Sequence, residues 1–231
     1  MIIKPRQKKV PKKIQLSING DHLNESDCVK YLGVLIDNNL TWKQHIQHVN
    51  TKVAKSIGIL AKMRHFAPNN IMLNIYNAFI SPHINYGIIN WGGAYQNSLD
   101  PLSKNQKKAA RLLFFKQRNS RSKPLFKALN SLNLHDTYKL ECAKFMYDIS
   151  KGNCEKFFSD SFQLISEKHH FQTRQATSGS FALPVARTNY KRRLITNFGV
   201  DIWNNTPKDI RTSPTKKIFG KRYKQLLLQN Y

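Results

Sequence analysis

The sequence predicts a mainly α protein of the α+β class. A small N-terminal antiparallel β-hairpin or sheet leads into a helical bundle, an irregular C-terminal segment and a terminal helix. Three observations carry this. Asn19-Gly20, the strongest short hairpin signal, directly follows an alternating apolar run. After Asp37 the apolar period changes from two residues to that of a helix. A hydrophobic content of 40% with 11% aromatics is ample for a packed core in 231 residues.

Taken in order, Ile14, Leu16 and Ile18 alternate with polar residues as in a half-buried strand, and Val29 to Ile36 forms a second β run that completes the sheet. Trp42, Ile46, Val49, Val53, Ile57 and Leu60 then share one helical face, with Thr41 placed to cap it. Lys55 and Lys62 lie on the far side and Lys52 on the flank. Met72, Tyr76 and Phe79 mark a second helix that stops near Pro82. From Leu99 to Phe114, Leu102, Ala109 and Leu113 face one way and Lys107, Lys108 and Arg111 the other. Tyr138, Cys142, Phe145 and Ile149 are the buried line of a helix over 136–150. Residues 152–179 read as a connector with a short helix or two, followed by a compact irregular stretch ending near Arg211. Ser213-Pro214 opens the last helix, with Phe219, Tyr223 and Leu226 inward and Lys217, Lys221 and Lys224 outward.

Charge narrows the function. Thirty-eight Lys and Arg against thirteen Asp and Glu give a net charge of +25, which self-repels unless a polyanion answers it. Nucleic acid is the expected partner. No two acids are adjacent, so an Asp-Asp metal pair is missing from the sequence. Asp21, Glu25 and Asp27 read as solvated turn formers, and Asp37 as a residue that closes a strand and caps the segment after it. His45 and His48 share a helical face, but two nitrogens do not make a metal site, and His169-His170 adds no more. Neither a Walker loop nor a nucleophile elbow occurs. No catalytic residue, metal ligand or cofactor is assigned. Cys28, Cys142 and Cys154 are too few and too far apart for a disulfide framework or zinc site, which points to a reducing intracellular compartment. No apolar run reaches the roughly 18–20 residues of a membrane span. Arg187-Thr-Asn-Tyr190-Lys191-Arg192-Arg193 can grip phosphates while the tyrosine stacks on a base. Its other reading is an exposed basic loop whose tyrosine packs in the core.

Several strings converge on one family. Tyr31-Leu-Gly-Val-Leu-Ile-Asp37, Leu40-Thr-Trp42 and His45-Ile46 resemble the end of the reverse transcriptase of non-LTR retrotransposons of the jockey-like or LINE-like kind. So do Leu60-Ala-Lys-Met-Arg64, Tyr86-Gly87, Trp91-Gly92, Gln106-Lys-Lys-Ala109 with Arg111, Pro124-Leu-Phe126, and Tyr138-Lys-Leu140 with Phe145-Met-Tyr147. The tail agrees most specifically, through Thr173-Arg174, Leu183-Pro184, Arg187-Thr188, Tyr190, Gly199, Trp203-Asn204, Pro207 and Ile210.

The resemblance implies that the fingers, most of the palm and its Asp-Asp turn lie upstream in the family, as does an apurinic-type endonuclease in many members. Residues 1–40 would then be a palm remnant, with Tyr31, Leu32 and Gly33 on a primer-grip-like strand; 41–151 a thumb-like domain; and 152–231 a connector and basic C-terminal segment. Mg2+ is expected only for the intact polymerase. The helical faces offer Lys52, Lys55, Lys62, Lys107, Lys108 and Arg111 as phosphate contacts, joined by Arg187, Lys191, Arg192 and Arg193. The implied partner is RNA or an RNA–DNA hybrid, with the upstream polymerase or endonuclease portion as a further one and the nucleus as the working location. The chain alone is expected to bind and not to polymerise. A basic nucleic-acid-binding protein kept by a host, or a decayed reading frame, remains the alternative.

Overall fold

The computed structural model describes residues 1–3, 16–168, 171, 173 and 177–231. Ile14, His169, His170 and Arg174, singled out above, lie outside the described residues. The fold is mainly helical with two small antiparallel β-hairpins, in agreement with the predicted class. Contacts divide the chain into two units, one of residues 1–87 and 94–105, the other of 88–93 and 106–231.

In the first unit, β1 (Ser17–Ile18) and β2 (Asp21–His22) pair around Asn19-Gly20, whose φ angles of 52° and 92° make the mirror-image turn that dipeptide favours. The strand is not half-buried as expected: Leu16 and Ile18 are both exposed. The second β run is not one strand either. It folds back on itself at Leu32-Gly33, with φ of 44° and 80°, to form β3 (Cys28–Tyr31) against β4 (Val34–Asp37). The glycine admits a left-handed turn where continuous β-branched residues would have suggested an unbroken strand.

The helix α1 (Lys43–Met63) buries Ile46, Val49, Val53, Ile57 and Leu60, as its period predicts. Thr41 does not cap it. Trp42 holds the capping position in a left-handed conformation, and Asp37 gathers the approach: its carboxylate accepts from the Thr41 and Trp42 amides at 3.0 and 2.8 Å, and from Asn39 N–H and the Thr41 hydroxyl. The capping role read for Asp37 is therefore met. Against α1 pack β4, α2 (Asn69–Phe79) and α3 (Ser81–Asn85), the two helices burying Met72, Tyr76 and Ile84 with Ile80 between them. Phe79 is half exposed rather than buried, and Pro82 sits in the first turn of α3, where its missing N–H costs nothing, instead of merely ending α2.

The second unit starts with α4 (Ile88–Trp91) and takes the last half of α5 (Gln96–Leu113), which begins three residues before the predicted start. Its centre is α7 (Leu134–Ser150), reached through α6 (Lys123–Ala128) and capped by Asn133, whose side chain accepts from Asp136 N–H. Gln106 is fully buried and staples the turn before α7: its amide donates to Leu132 O at 3.1 Å and accepts from Leu134 N–H at 2.7 Å. Beyond α8 (Lys156–Ser159) and α9 (Ile165–Lys168), the stretch expected to be irregular is largely helical: α10 (Asn189–Arg193), α11 (Ile195–Asn204) and α12 (Lys208–Arg211). The last helix, α13 (Lys216–Gln229), is capped by the Thr215 side chain rather than by Ser213. It buries Leu227 and Leu228, while Leu226 is half-buried.

An aromatic ladder joins these helices. Tyr147 lies 4.9 Å from Phe219, which lies 6.0 Å from Trp203 and stacks on Tyr223 at 5.9 Å between centroids. Tyr138 stacks on Phe198 at 5.1 Å. Burial pushes the Cys142 thiol up to about 12 and the Tyr138 hydroxyl upward as well, so both stay protonated within the core.

Candidate nucleic-acid interface

The strings that carry the family resemblance turn out to be packing devices. Gly92 backs against the face of Tyr138, and a Cβ there would stand 2.5 Å from its ring. Asn204 exchanges two hydrogen bonds with the backbone of Phe181, at 3.0 and 2.9 Å. The Trp203 indole donates to Gly179 O at 3.1 Å, and Asn197 donates to Pro184 O at 2.6 Å. Gly199 leaves room for Met146, whose sulfur would be 3.1 Å from an added Cβ. These bonds hold the extended stretch around Phe181 to Pro184 on α11 and, through it, on α7. In the first unit Tyr86 does similar work, its hydroxyl donating to Leu32 O at 2.6 Å.

The cations lie elsewhere. Lys55 and Lys62 are exposed on α1 opposite its buried line, and Lys52 is exposed on its flank. On α5, Lys108 is exposed and Lys107 half-buried. Arg111 differs from them, because its Nε–H donates to Ser120 O at 2.9 Å and braces the turn after α5. Arg187 is exposed ahead of α10, and Lys191 and Arg192 are exposed on it. Arg193 is half-buried, and its carbonyl accepts from the Tyr138 hydroxyl at 3.4 Å. The Thr188 side chain caps α10 by accepting from Lys191 N–H. Of the two readings of this segment, the one that packs Tyr190 in the core fails: the residue is 45% exposed, on a short helix and not a loop.

Among the described residues, the ion pairs are Lys139–Asp136, Lys144–Glu141 and Lys216–Asp148. Lys52, Lys55, Lys62, Lys107 and Lys108 take no part in them. Among the described residues no carboxylate pairs with them, and all but the half-buried Lys107 are exposed.

Tyr31 ends β3, paired with Val34, while Leu32 and Gly33 form the tip of the β3–β4 hairpin instead of continuing a strand; Tyr31 and Leu32 are exposed. The hairpin is held to the first turn of α1 by the Leu35 N–H, which donates to His45 Nδ1 at 3.3 Å. His45 is buried, so it does not share a face with the exposed His48. Burial first, then His48 when protonated and the Lys52 ammonium, pull its pKa down to about 4. The same fields reach His48 and His83, both lowered by burial first and then by Lys52; Lys30 and His83 also act on His48. Sequence reading joined neither Lys30 nor His83 to this group, because they arrive from β3 and α3 and no spacing links them to α1. Among the described residues no three His, Cys, Asp or Glu side chains converge to hold a metal, so their carboxylates do not fit a Mg2+ pair. No described helix is long and apolar enough to cross a membrane.

No protein-family model and no solved structure matches this chain. Its curated homologues are RNA-directed DNA polymerases of Drosophila non-LTR retrotransposons, the class that the motifs resemble. A probable RNA-directed DNA polymerase from transposon X-element of Drosophila melanogaster is 33% identical over 93 residues, 38% of this chain and 10% of that protein. The RNA-directed DNA polymerases from mobile element jockey of Drosophila melanogaster and Drosophila funebris are 30% and 32% identical over 100 residues, 42% of this chain. The chain spans about a tenth of the length of the curated relatives it matches.

Proposed function

We propose that this chain is the template–primer-holding part of a retrotransposon RNA-directed DNA polymerase, with a palm remnant in residues 1–40, a thumb-like region in 41–151 and a basic connector and tail in 152–231. It grips RNA or an RNA–DNA hybrid by the phosphates and leaves polymerisation to carboxylates that these 231 residues do not supply. The observation that carries this reading is the pairing of two facts. The relatives are RNA-directed DNA polymerases, and Lys52, Lys55, Lys62 and Lys108, in no ion pair among the described residues, are exposed on their helices. Backbone contacts of this kind need charge and reach but no base readout, which suits cations, carried by each unit on its own helices, that must accept any sequence in turn. Lys107, Arg187, Lys191 and Arg192 extend the same chemistry, whereas Arg111 and Arg193 combine it with a structural role.

Fluorescence anisotropy with a labelled RNA–DNA hybrid, run beside a primer-extension assay with Mg2+, tests this. Binding of the hybrid without extension is the expected result. Extension by the chain alone, or failure to bind hybrid or RNA at low salt, would overturn it.

A further inference from the structure

We propose that His48 and His83, together with Lys30 and Lys52, form a phosphate-binding site that tightens the hold on an RNA–DNA hybrid as the pH falls. This rests on the hybrid-holding reading above and adds to it a location and a regulation.

The four groups come from three elements. His48 and Lys52 are one turn apart on α1 and both exposed. Lys30 is exposed on β3, opposite Leu35 of β4, and His83 is half-buried on α3. Three bonds fix these elements to one another: Leu35 N–H to His45 Nδ1 at 3.3 Å, Tyr86 hydroxyl to Leu32 O at 2.6 Å, and Ser56 hydroxyl to Phe79 O at 3.1 Å just ahead of α3. The cluster is therefore built into the unit and does not depend on a loose loop.

Among the described residues, the groups whose fields act on His48 are Lys52, Lys30 and, once protonated, His83, all of them basic. On the elements around it, α1 supplies His45 and Lys52, β3 supplies Lys30, α3 supplies His83, and β4 supplies Asp37. That single carboxylate is buried and turned toward the Asn39–Trp42 backbone, where its hydrogen bonds are made. Among the described residues no carboxylate pairs with the cluster, and a phosphate group is the ligand its chemistry would accept.

The sign comes from linkage. In the free chain, burial and then Lys52 hold both imidazoles below their ordinary value of 6.5, so both are neutral near neutral pH. A phosphate brought among them reverses the local field and favours the imidazolium. Binding then takes up protons, and affinity rises as the pH drops below the histidines' value in the complex. His45 takes no part, because it stays buried and accepts from Leu35.

The test measures the affinity of the 231-residue chain for a short RNA–DNA hybrid at about pH 8 and about pH 6, at constant ionic strength, beside H48Q/H83Q. The chain should bind about tenfold more tightly at the lower pH, as a shift of one pKa unit would give. In H48Q/H83Q the ratio should collapse to less than about twofold. An equal gain in both proteins overturns the proposal while leaving hybrid binding intact. Absence of binding at either pH overturns the hybrid reading itself. Should the double variant fail to fold, ring-proton NMR of the unaltered chain decides: adding hybrid should raise the pKa of His48 and His83, and unmoved values contradict the site.

Discussion

The Tyr86 hydroxyl reaches back across 54 residues to donate to the Leu32 carbonyl at 2.6 Å. It thereby holds the tip of the β3–β4 hairpin against the end of α3. The Tyr86 ring also lies 3.5 Å from where a Cβ on Gly33 would stand, so the turn and the tyrosine fit each other. Both partners are solvent-accessible, and the bond's net worth is about 1 kcal/mol. In Tyr86→Phe, hydrogen exchange at the β3–β4 amides should quicken about fivefold while the global melting temperature moves by a few degrees or less. Unchanged exchange at these amides would show that the bond does not restrain the tip.

Asp37 organises the passage from β4 into α1 by accepting from the amides of Asn39, Thr41 and Trp42 and from the Thr41 hydroxyl. Asp37→Ala leaves several of these donors without a partner, at a cost of about 3 kcal/mol in urea unfolding. Asp37→Asn, which keeps one acceptor oxygen, should cost less. Equal costs for the two variants would contradict this, since the acceptor oxygen that Asn keeps would then contribute nothing.

His45 should make the fold acid-sensitive. Its folded pKa of about 4 lies below its unfolded value of 6.5, so the unfolded chain binds the extra proton between those limits. Its contribution is fully present above about pH 6.5 and is lost as the pH falls toward about 4. His45→Gln keeps an acceptor for Leu35 N–H and removes the titration. Stability of that variant, followed by urea midpoints over the same window, should fall less steeply than that of the unaltered chain.

Gly92 has no room for a methyl group. A Cβ would meet Tyr138 Cδ2 at 2.5 Å and Ile88 O at 2.7 Å, and neither a packed ring nor a helical carbonyl can move cheaply. Gly92→Ala should destabilise the second unit by about 3 kcal/mol. Gly58, with nothing within 4 Å of its own added Cβ, is the control, and Gly58→Ala within α1 should be neutral or mildly stabilising. Equal effects of the two substitutions would refute the packing argument.

The physics of each element explains why some of it was legible in the sequence and some was not. The buried line of α1, from Ile46 to Leu60, was legible because one helix repeats one period over 21 residues. The Asn19-Gly20 turn was legible because both positions tolerate positive φ. The turn at Leu32-Gly33 was hidden within an apolar run, since only its glycine marks it and leucine at φ 44° is unusual. The helix α11 was missed because Trp203, Asn204 and Asn197 are spent on long-range bonds to residues 179–184 that no local pattern displays. Lys55 and Lys62 could be placed from one helix alone. The group of Lys30, His48, Lys52 and His83 could not, because tertiary packing of three elements assembles it. Arg111 was read as a surface cation, yet its bond to Ser120 O exists only because the chain turns back after α5. Charge reversal is therefore cleaner at Lys107 and Lys108 than at Arg111.

The most direct measurement is the salt dependence of hybrid binding by the whole chain. If Lys52, Lys55, Lys62, Lys107, Lys108 and the tail cations hold phosphates, the logarithm of the binding constant should fall linearly with the logarithm of salt concentration. Six or more contacts would lose about a thousandfold in affinity between roughly 50 and 200 mM. Lys107→Glu with Lys108→Glu should make that slope shallower for every hybrid sequence alike. A binding constant that barely changes over this range would contradict the claim that these cations hold a template–primer by its backbone.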